Sequence, residues 1–303
     1  MEKIINIEIN ETYDLNNVVK ESDSLIVKDE SIVSLSNNII KGIKVGKTSL
    51  MINDEETIIN VLNENELNET FTFCYGRLSN KNLLILGDSV SAKETIGLQN
   101  KTYSALMKDE LNINELTNAA IGGTTLTYMY EGSNIDKEYH SHLVAIDGCR
   151  VTKRLEDTGV LDNIDYVIIA YGHNDQHIKD EIEEEHTENV YSLDQIHSYK
   201  NSFRYIVNTL RKHNKQIKIL ALNCTYSEYE KGQVSAYGNK YDYDSYRKAC
   251  KEMASELKIK YLDPWDYMKQ FFDPFDAHYY YQDAVHISPK GHIELFKYLL
   301  KDM

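Results

Sequence analysis

Apolar positions in this chain follow two different rhythms. Up to about residue 65 they come in short runs, Ile4–Ile9, Ser24–Val27, Ile32–Leu35, Ile39–Val45, Ser49–Ile52 and Thr57–Val61, rich in Ile, Val, Leu and Thr and broken by Asn, Asp, Glu, Gly and Ser. Such spacing predicts short strands joined by turns, hence a small all-β unit. Asn37-Asn38 and Gly46-Lys47 are the expected turn positions. A polar stretch over 66–81 reads as a linker, so the predicted organisation is a β domain at 1–65, a linker at 66–81 and a second domain at 82–303.

From residue 82 short, uniformly apolar runs alternate with longer amphipathic ones. Leu83–Leu86, Leu116–Ala120, Tyr166–Ala170, Ile217–Leu222 and Lys260–Leu262 are predicted strands, the third the clearest. Between and after them, helical spacing covers Asn100–Leu111, His142–Leu155, Asp194–His213 and Tyr243–Leu257, and Ser288-Pro289 opens a last helix running to Leu300. Strands alternating with helices predict an α/β fold: a three-layer α/β/α sandwich around a five-stranded parallel sheet. Right-handed crossovers favour the flavodoxin-like order 2-1-3-4-5. In such sheets ligands bind beyond the carboxyl ends of the strands where the order reverses, here between the first and third strands.

That edge is where the chemistry-bearing residues fall. Ser89, in Gly87-Asp88-Ser89-Val90, lies just past the first strand. Gly122-Gly123 follows the second, and Asn174, in Gly172-His173-Asn174-Asp175, follows the third. Asp283-Ala-Val-His286 precedes the last helix. A Ser hydroxyl is nearly inert near neutral pH unless a base takes its proton as it attacks. Imidazole, with an ordinary pKa of about 6.5, is that base, and a carboxylate orients it. Glycine backbone N–H groups and an uncharged Asn amide suit a developing oxyanion.

In their order and spacing the four blocks resemble the signatures of the SGNH (GDSL-type) hydrolases, over residues 82–303. The resemblance implies ester hydrolysis without cofactor or metal. It implies Ser89 as nucleophile, His286 as general base and Asp283 as its orienting carboxylate. The oxyanion hole would comprise the Ser89 N–H, Gly123 and Asn174, with Gly122 as the alternative to Gly123. Asp88 is assigned to holding the turn, outside the triad. Residues 29–50 resemble bacterial Ig-like (group 2) domains.

Composition narrows the partners. A net charge of -15 speaks against nucleic acid and anionic membrane surfaces. Cys74, Cys149, Cys224 and Cys250 are scattered and predicted reduced. No apolar run has the length of a signal peptide or a membrane span, so a soluble chain is expected. His173 and His177 have helical metal-ligand spacing but lack a third ligand, so no metal is expected. The 23 Tyr against one Trp suggest surfaces for polar ligands. His173, Tyr226, Tyr237 and Tyr281 are the candidate substrate contacts, packing being the competing reading for the Tyr-rich loops. The acidic run at 180–188 reads as a solvated face. A carbohydrate O-acetyl esterase is the expected function, with a small-molecule or glycan ester as substrate and cell-surface polysaccharide or a phage virion as context. The alternatives are a lipid esterase or thioesterase and an inert binding or structural protein.

Overall fold

The computed structural model describes residues 3–10, 12–16, 19–20, 22–62, 78–92, 101–128, 146–178, 182, 190–229, 241–273 and 279–301. Seven strands lie in the N-terminal part: β1 (Lys3–Glu8), β2 (Thr12–Asp14), β3 (Leu25–Val27), β4 (Val33–Ser36), β5 (Ile39–Gly42), β6 (Gly46–Ile52) and β7 (Glu55–Leu62). They form a four-stranded sheet, β1-β7-β6-β3, and a three-stranded one, β2-β5-β4. Ile7, Leu50, Ile59 and Val61 of the first sheet and Tyr13, Val33 and Ile40 of the second are buried in one shared core.

Asn37 and Asn38 make the predicted turn between β4 and β5. Both have positive φ, 51° and 60°, as a tight hairpin requires and as Asn tolerates. Gly46-Lys47 is a correction: the pair lies inside β6, opposite Val61 and Asn60. The turn falls at Asn53, with φ 55°, where the next strand begins two residues on. The strand Thr12–Asp14 escaped the pattern, because three residues are too few to display alternation.

The second part contains β8 (Asn82–Gly87), β9 (Glu115–Asn118), β10 (Tyr166–Ala170), β11 (Lys218–Leu222) and β12 (Lys260–Leu262). All pair in parallel, in the order β9-β8-β10-β11-β12, which is the predicted 2-1-3-4-5. Alternation along the strands divides the core in two. Leu84, Leu86, Val167, Ile169, Ile219 and Ala221 face one side, against α2 (Gly148–Asp157), α4 (Tyr199–His213) and α5 (Tyr243–Glu256). Leu83, Ile85, Tyr166, Ile168, Leu220 and Leu222 face the other, against α1 (Tyr103–Glu110), α6 (Trp265–Lys269) and α7 (Pro289–Lys301). A short α3 (Asp175–Ile178) follows β10. None of the described helices is long and apolar enough to cross a membrane.

Local hydrogen bonds move several helix starts from the predicted ones. Thr102 caps α1 by accepting from the Ala105 N–H, so that helix begins at Tyr103 rather than Asn100. The start expected at His142 lies outside the described residues; α2 is capped by Asp147, which accepts from the Arg150 N–H. Asp194 does not open the long helix. It sits in a 3-10 turn, Leu193–Gln195, and Ser198 is the cap, accepting from the Asn201 N–H. Among the described residues Cys149, Cys224 and Cys250 are free and buried; Cys74 lies outside them, as does the acidic run except Ile182.

Ile168 is fully buried at the centre of the middle strand. Ile168→Ala is therefore expected to lower stability by about 2–5 kcal/mol. Urea unfolding should show a lower midpoint with an unchanged slope.

Candidate active site

The site is built at the carboxyl edge of β8 and β10. The pairing register sets Gly87 beside Ala170. Asp88 then donates its N–H to the Ala170 carbonyl at 3.3 Å, and the Ser91 and Ala92 N–H groups fold back onto the Asp88 carbonyl at 3.1 Å each. This tight turn projects Ser89 from the end of β8. Glycine is needed at 87 for close approach rather than for an unusual φ. A Cβ there would stand 2.7 Å from the Ala170 carbonyl oxygen and 3.0 Å from the Ser91 side chain.

His286 and Asp283 arrive from the other end of the chain. A bridge between Tyr281 and Ile287 closes the loop that carries them, and Gln282 donates to the His286 carbonyl at 2.7 Å. Ser288 secures its base, donating its N–H to the Tyr280 carbonyl and its hydroxyl to the Tyr279 carbonyl. The outcome is a continuous relay: His286 Nε2 lies 2.8 Å from Ser89 Oγ, and His286 Nδ1 lies 2.7 Å from Asp283 Oδ2. An ionised carboxylate can only accept, so Nδ1 carries the ring proton and Nε2 is left to accept from the Ser89 hydroxyl.

Asp283 Oδ1 also accepts from the Val285 N–H at 2.8 Å and the His286 N–H at 2.7 Å. Burial alone would raise this carboxyl; the hydrogen bonds from His286 and Val285 outweigh it and hold its pKa below the usual value. Asp88 differs in its burial and in the direction of its shift. It is buried, takes the Val90 N–H at 3.1 Å, and is pushed up to about 7, mainly by burial. It braces the turn, and the carboxylate on the imidazole is Asp283.

The segment after β9 passes beside Ser89. Ile121 donates to the Gly87 carbonyl at 3.0 Å, tying this segment to the strand that bears Ser89. A Cβ on Gly122 would meet Ser89 Cβ at 3.7 Å, so this backbone forms a near wall. Gly123 has φ 78°, the left-handed region that glycine enters without steric cost. Asn174 Nδ2 donates to the Thr124 carbonyl at 2.9 Å. That bond fixes the amide plane and leaves the second N–H for another acceptor. Ser89, His286 and Asp283 are thus in direct contact, with Gly123 and Asn174 on the two segments that flank the end of β8.

The candidate substrate contacts fare differently. Tyr281 is fully buried with its hydroxyl on the Met268 carbonyl, so it is a core residue and the expectation is corrected. His173 is also buried; Nε2 contacts Thr225 Oγ1 at 3.2 Å and the ring packs edge-on to Tyr243. Its 2% exposure removes it from the substrate-facing surface. Tyr226 is half-buried between Trp265 and Phe272, with ring centroids 5.2 and 5.4 Å away. Tyr237 lies outside the described residues.

Two residues without an assigned role support the site from behind. Asn118 donates to the Ser91 carbonyl at 2.8 Å. His292 accepts the Tyr103 N–H at 3.2 Å; burial lowers its pKa to about 3, keeping it neutral. Both lie a few residues from the Gly122-Gly123 and Asp283–His286 blocks, yet their side chains act on backbone groups, which no residue pattern displays.

The chain belongs to the GDSL-like lipase/acylhydrolase family, whose model matches residues 85–292. It is accordingly a hydrolase of the esterase class. Among solved structures it is similar to a protein from Lactobacillus plantarum, 17% identical, with a TM-score of 0.53 over 74% of this chain and 97% of that one. It is also similar to a protein designated a GDSL-like lipase from Parabacteroides merdae, 15% identical, TM-score 0.50, over 74% and 95% of the chains. An acetylxylan esterase from Geobacillus stearothermophilus, determined as a catalytic mutant, is 18% identical with a TM-score of 0.47 over 74% and 94%. At these identities the likeness is one of fold. No curated protein matches the sequence.

Two outcomes follow. Gly87→Ala is expected to destabilise the fold by about 1–3 kcal/mol, since neither the Ala170 carbonyl nor the Ser91 side chain has room to retreat. The midpoint of denaturant unfolding reads this directly. The second concerns pH. A folded-state pKa below the unfolded one gives a contribution that is complete above the ordinary carboxyl value and is lost as pH falls through the folded one. The difference in Tm between wild type and Asp283→Asn should therefore shrink as pH drops below about 4. A difference that stays constant to pH 2.5 would contradict the assigned carboxylate contacts.

Proposed function

We propose that this protein is a serine esterase acting through an acyl-enzyme, and that its substrate is an O-acetylated carbohydrate. The observation that carries the reading is the relay of 2.8 and 2.7 Å contacts from Ser89 through His286 to Asp283. Ser89 Oγ attacks the ester carbonyl while its proton passes to His286 Nε2. Asp283 holds the imidazole in the reactive tautomer and stabilises the imidazolium. The tetrahedral oxyanion is received by the N–H groups of Ser89 and Gly123 and by the free N–H of Asn174. Collapse expels the alcohol, which takes the proton from His286. Water then attacks the acyl-enzyme, giving a proton to His286, which returns it to the departing Ser89 Oγ as the acid is released.

Three features favour a short acyl group on a polar alcohol. A Cβ on Gly122 would stand only 3.7 Å from Ser89 Cβ, so this segment borders Ser89 and leaves limited room on the acyl side. The groups around the nucleophile are polar, with Asp283 open to solvent. The net charge of -15 disfavours anionic lipid surfaces. The same proposal divides the chain into a β domain at 1–65, a linker at 66–81 and the hydrolase domain at 82–303. The separate core of β1–β7 supports a boundary after the β domain, while Leu78, within the proposed linker, packs with the α/β core and favours a hydrolase domain that begins before residue 82. An Ig-like reading of the β domain suits attachment to a polysaccharide surface.

Acetate release from acetylated glycans, set against p-nitrophenyl esters of increasing chain length, tests the substrate. Activity should be greatest on acetyl esters, and Ser89→Ala should abolish it, a loss of at least about 10⁴-fold. Rates that rise with chain length would point to a lipid esterase. Folded protein whose Ser89 resists a fluorophosphonate probe would not be a serine esterase.

A further inference from the structure

Asp175 stands next to Asn174 in the chain, and its side chain reaches the same loop. Its side chain is fully buried, and burial raises its pKa, so the fold needs a reason to keep a carboxyl there. The reason lies in its partners. Oδ1 accepts from the Leu126 N–H at 3.0 Å, the Thr127 N–H at 2.9 Å and Thr127 Oγ1 at 2.7 Å, and Oδ2 shares the Leu126 N–H at 3.1 Å. All the donors belong to the segment that runs on from Gly123. That segment is tied a second time, in the opposite sense, by the bond from Asn174 Nδ2 to the Thr124 carbonyl. Beyond the clamp, Gly148 donates to the Thr125 carbonyl and Tyr128 donates to Ser202 Oγ.

Two consecutive side chains at the end of β10 therefore grip one loop. Asn174 reaches a carbonyl of it and Asp175 gathers its N–H groups. We propose that Asp175 is the positioning residue of the oxyanion hole, clamping the Gly123–Thr127 segment so that the Gly123 N–H and the Asn174 amide converge on one point. The proposal rests on the esterase reading for its effect on rate, while the clamp itself does not. A carboxylate suits the task better than its amide. Asn at this position would turn an NH₂ toward the Leu126 N–H at 3.1 Å, donor against donor. Oxyanion donors act through placement, and a shift of about 1 Å costs on the order of 100-fold.

The experiment compares wild type, Asp175→Asn and Thr127→Val, the last removing one hydroxyl at nearly constant shape. In Asp175→Asn the Leu126 and Thr127 amides should exchange with solvent at least about 10-fold faster, while amides in β8 and β10 stay protected. On an acetyl ester kcat should fall about 10–100-fold with KM within about 2-fold, the loss staying below the 100–1000-fold of a deleted donor. Thr127→Val should show a smaller loss of the same kind and keeps the test open if Asp175→Asn does not fold. In an Asn174→Ala background the cost of either change should shrink, because that arm of the hole is already gone. Unchanged amide protection in both variants overturns the clamp whether or not the protein hydrolyses esters. Faster exchange with unaltered kcat, or costs that multiply fully with Asn174→Ala, overturns the positioning role. Wild type lacking Ser89-dependent activity would sink the esterase reading instead, with the exchange data still deciding the clamp.

Discussion

The parallel pairing of β8 with β10 is the constraint on which the rest of this site depends. It sets Gly87 beside Ala170, so the chain leaving β8 must turn under the Ala170 carbonyl and the chain leaving β10 must start beside it. Ser89 and Asn174 are 85 residues apart in sequence, yet these two exits make them neighbours. The segment after β9 is added by the same edge, through the bonds from Ala119 to the Ile85 carbonyl and from Ile121 to the Gly87 carbonyl. Only the His286 loop comes from elsewhere, and it is held by its own bridge and by α7. A sheet with the third strand displaced by one place would keep every reactive residue and lose the site.

The carboxylates near the site divide by environment. Asp88 and Asp175 are buried, have raised pKa values and accept from backbone N–H groups. Desolvation works against both; Asp175 is compensated by the donors it gathers, while Asp88 keeps Oδ2 buried without a hydrogen-bond partner. Asp283 is exposed on 54% of its side chain, and solvent screens its pairing with His286. Exposed ion pairs contribute little to folding, so the value of that contact lies in fixing the imidazole tautomer and ring direction. The fold thus uses its buried acids to shape backbone and its open one to orient the base.

The sheet and its order were legible because uniformly apolar runs and amphipathic runs differ in period, and Tyr166–Ala170, buried at all but its last residue, is as plain as such a signal becomes. The relay was legible through the identity and order of Ser89, Asp283 and His286. Helix starts were less so: Ser198 rather than Asp194 caps α4, a choice made by one side-chain bond that either residue type can form. The Gly46-Lys47 turn failed because glycine also fits a strand, and its pairing with Val61 is a long-range fact. Asp175 was in view within a quoted block, but its partners lie 48 and 49 residues away and are backbone groups, which carry no residue signature.

The tyrosines correct an intuition drawn from composition. Tyr103, Tyr199 and Tyr281 are among the largest fully buried side chains, and Tyr246 and Tyr243 are nearly so. Their rings pack against one another and against Trp265, Phe203 and Phe272, and much of the phenol content is core. What Tyr residues do near the site is mechanical. Tyr229 stacks on Tyr241 at 4.5 Å and Tyr241 lies parallel to Tyr243, which touches the His173 ring beside Asn174. One residue before Tyr229, the Glu228 N–H reaches the Ala284 carbonyl in the His286 loop. The aromatic stack after β11 therefore joins His173, beside Asn174, to the loop that carries His286.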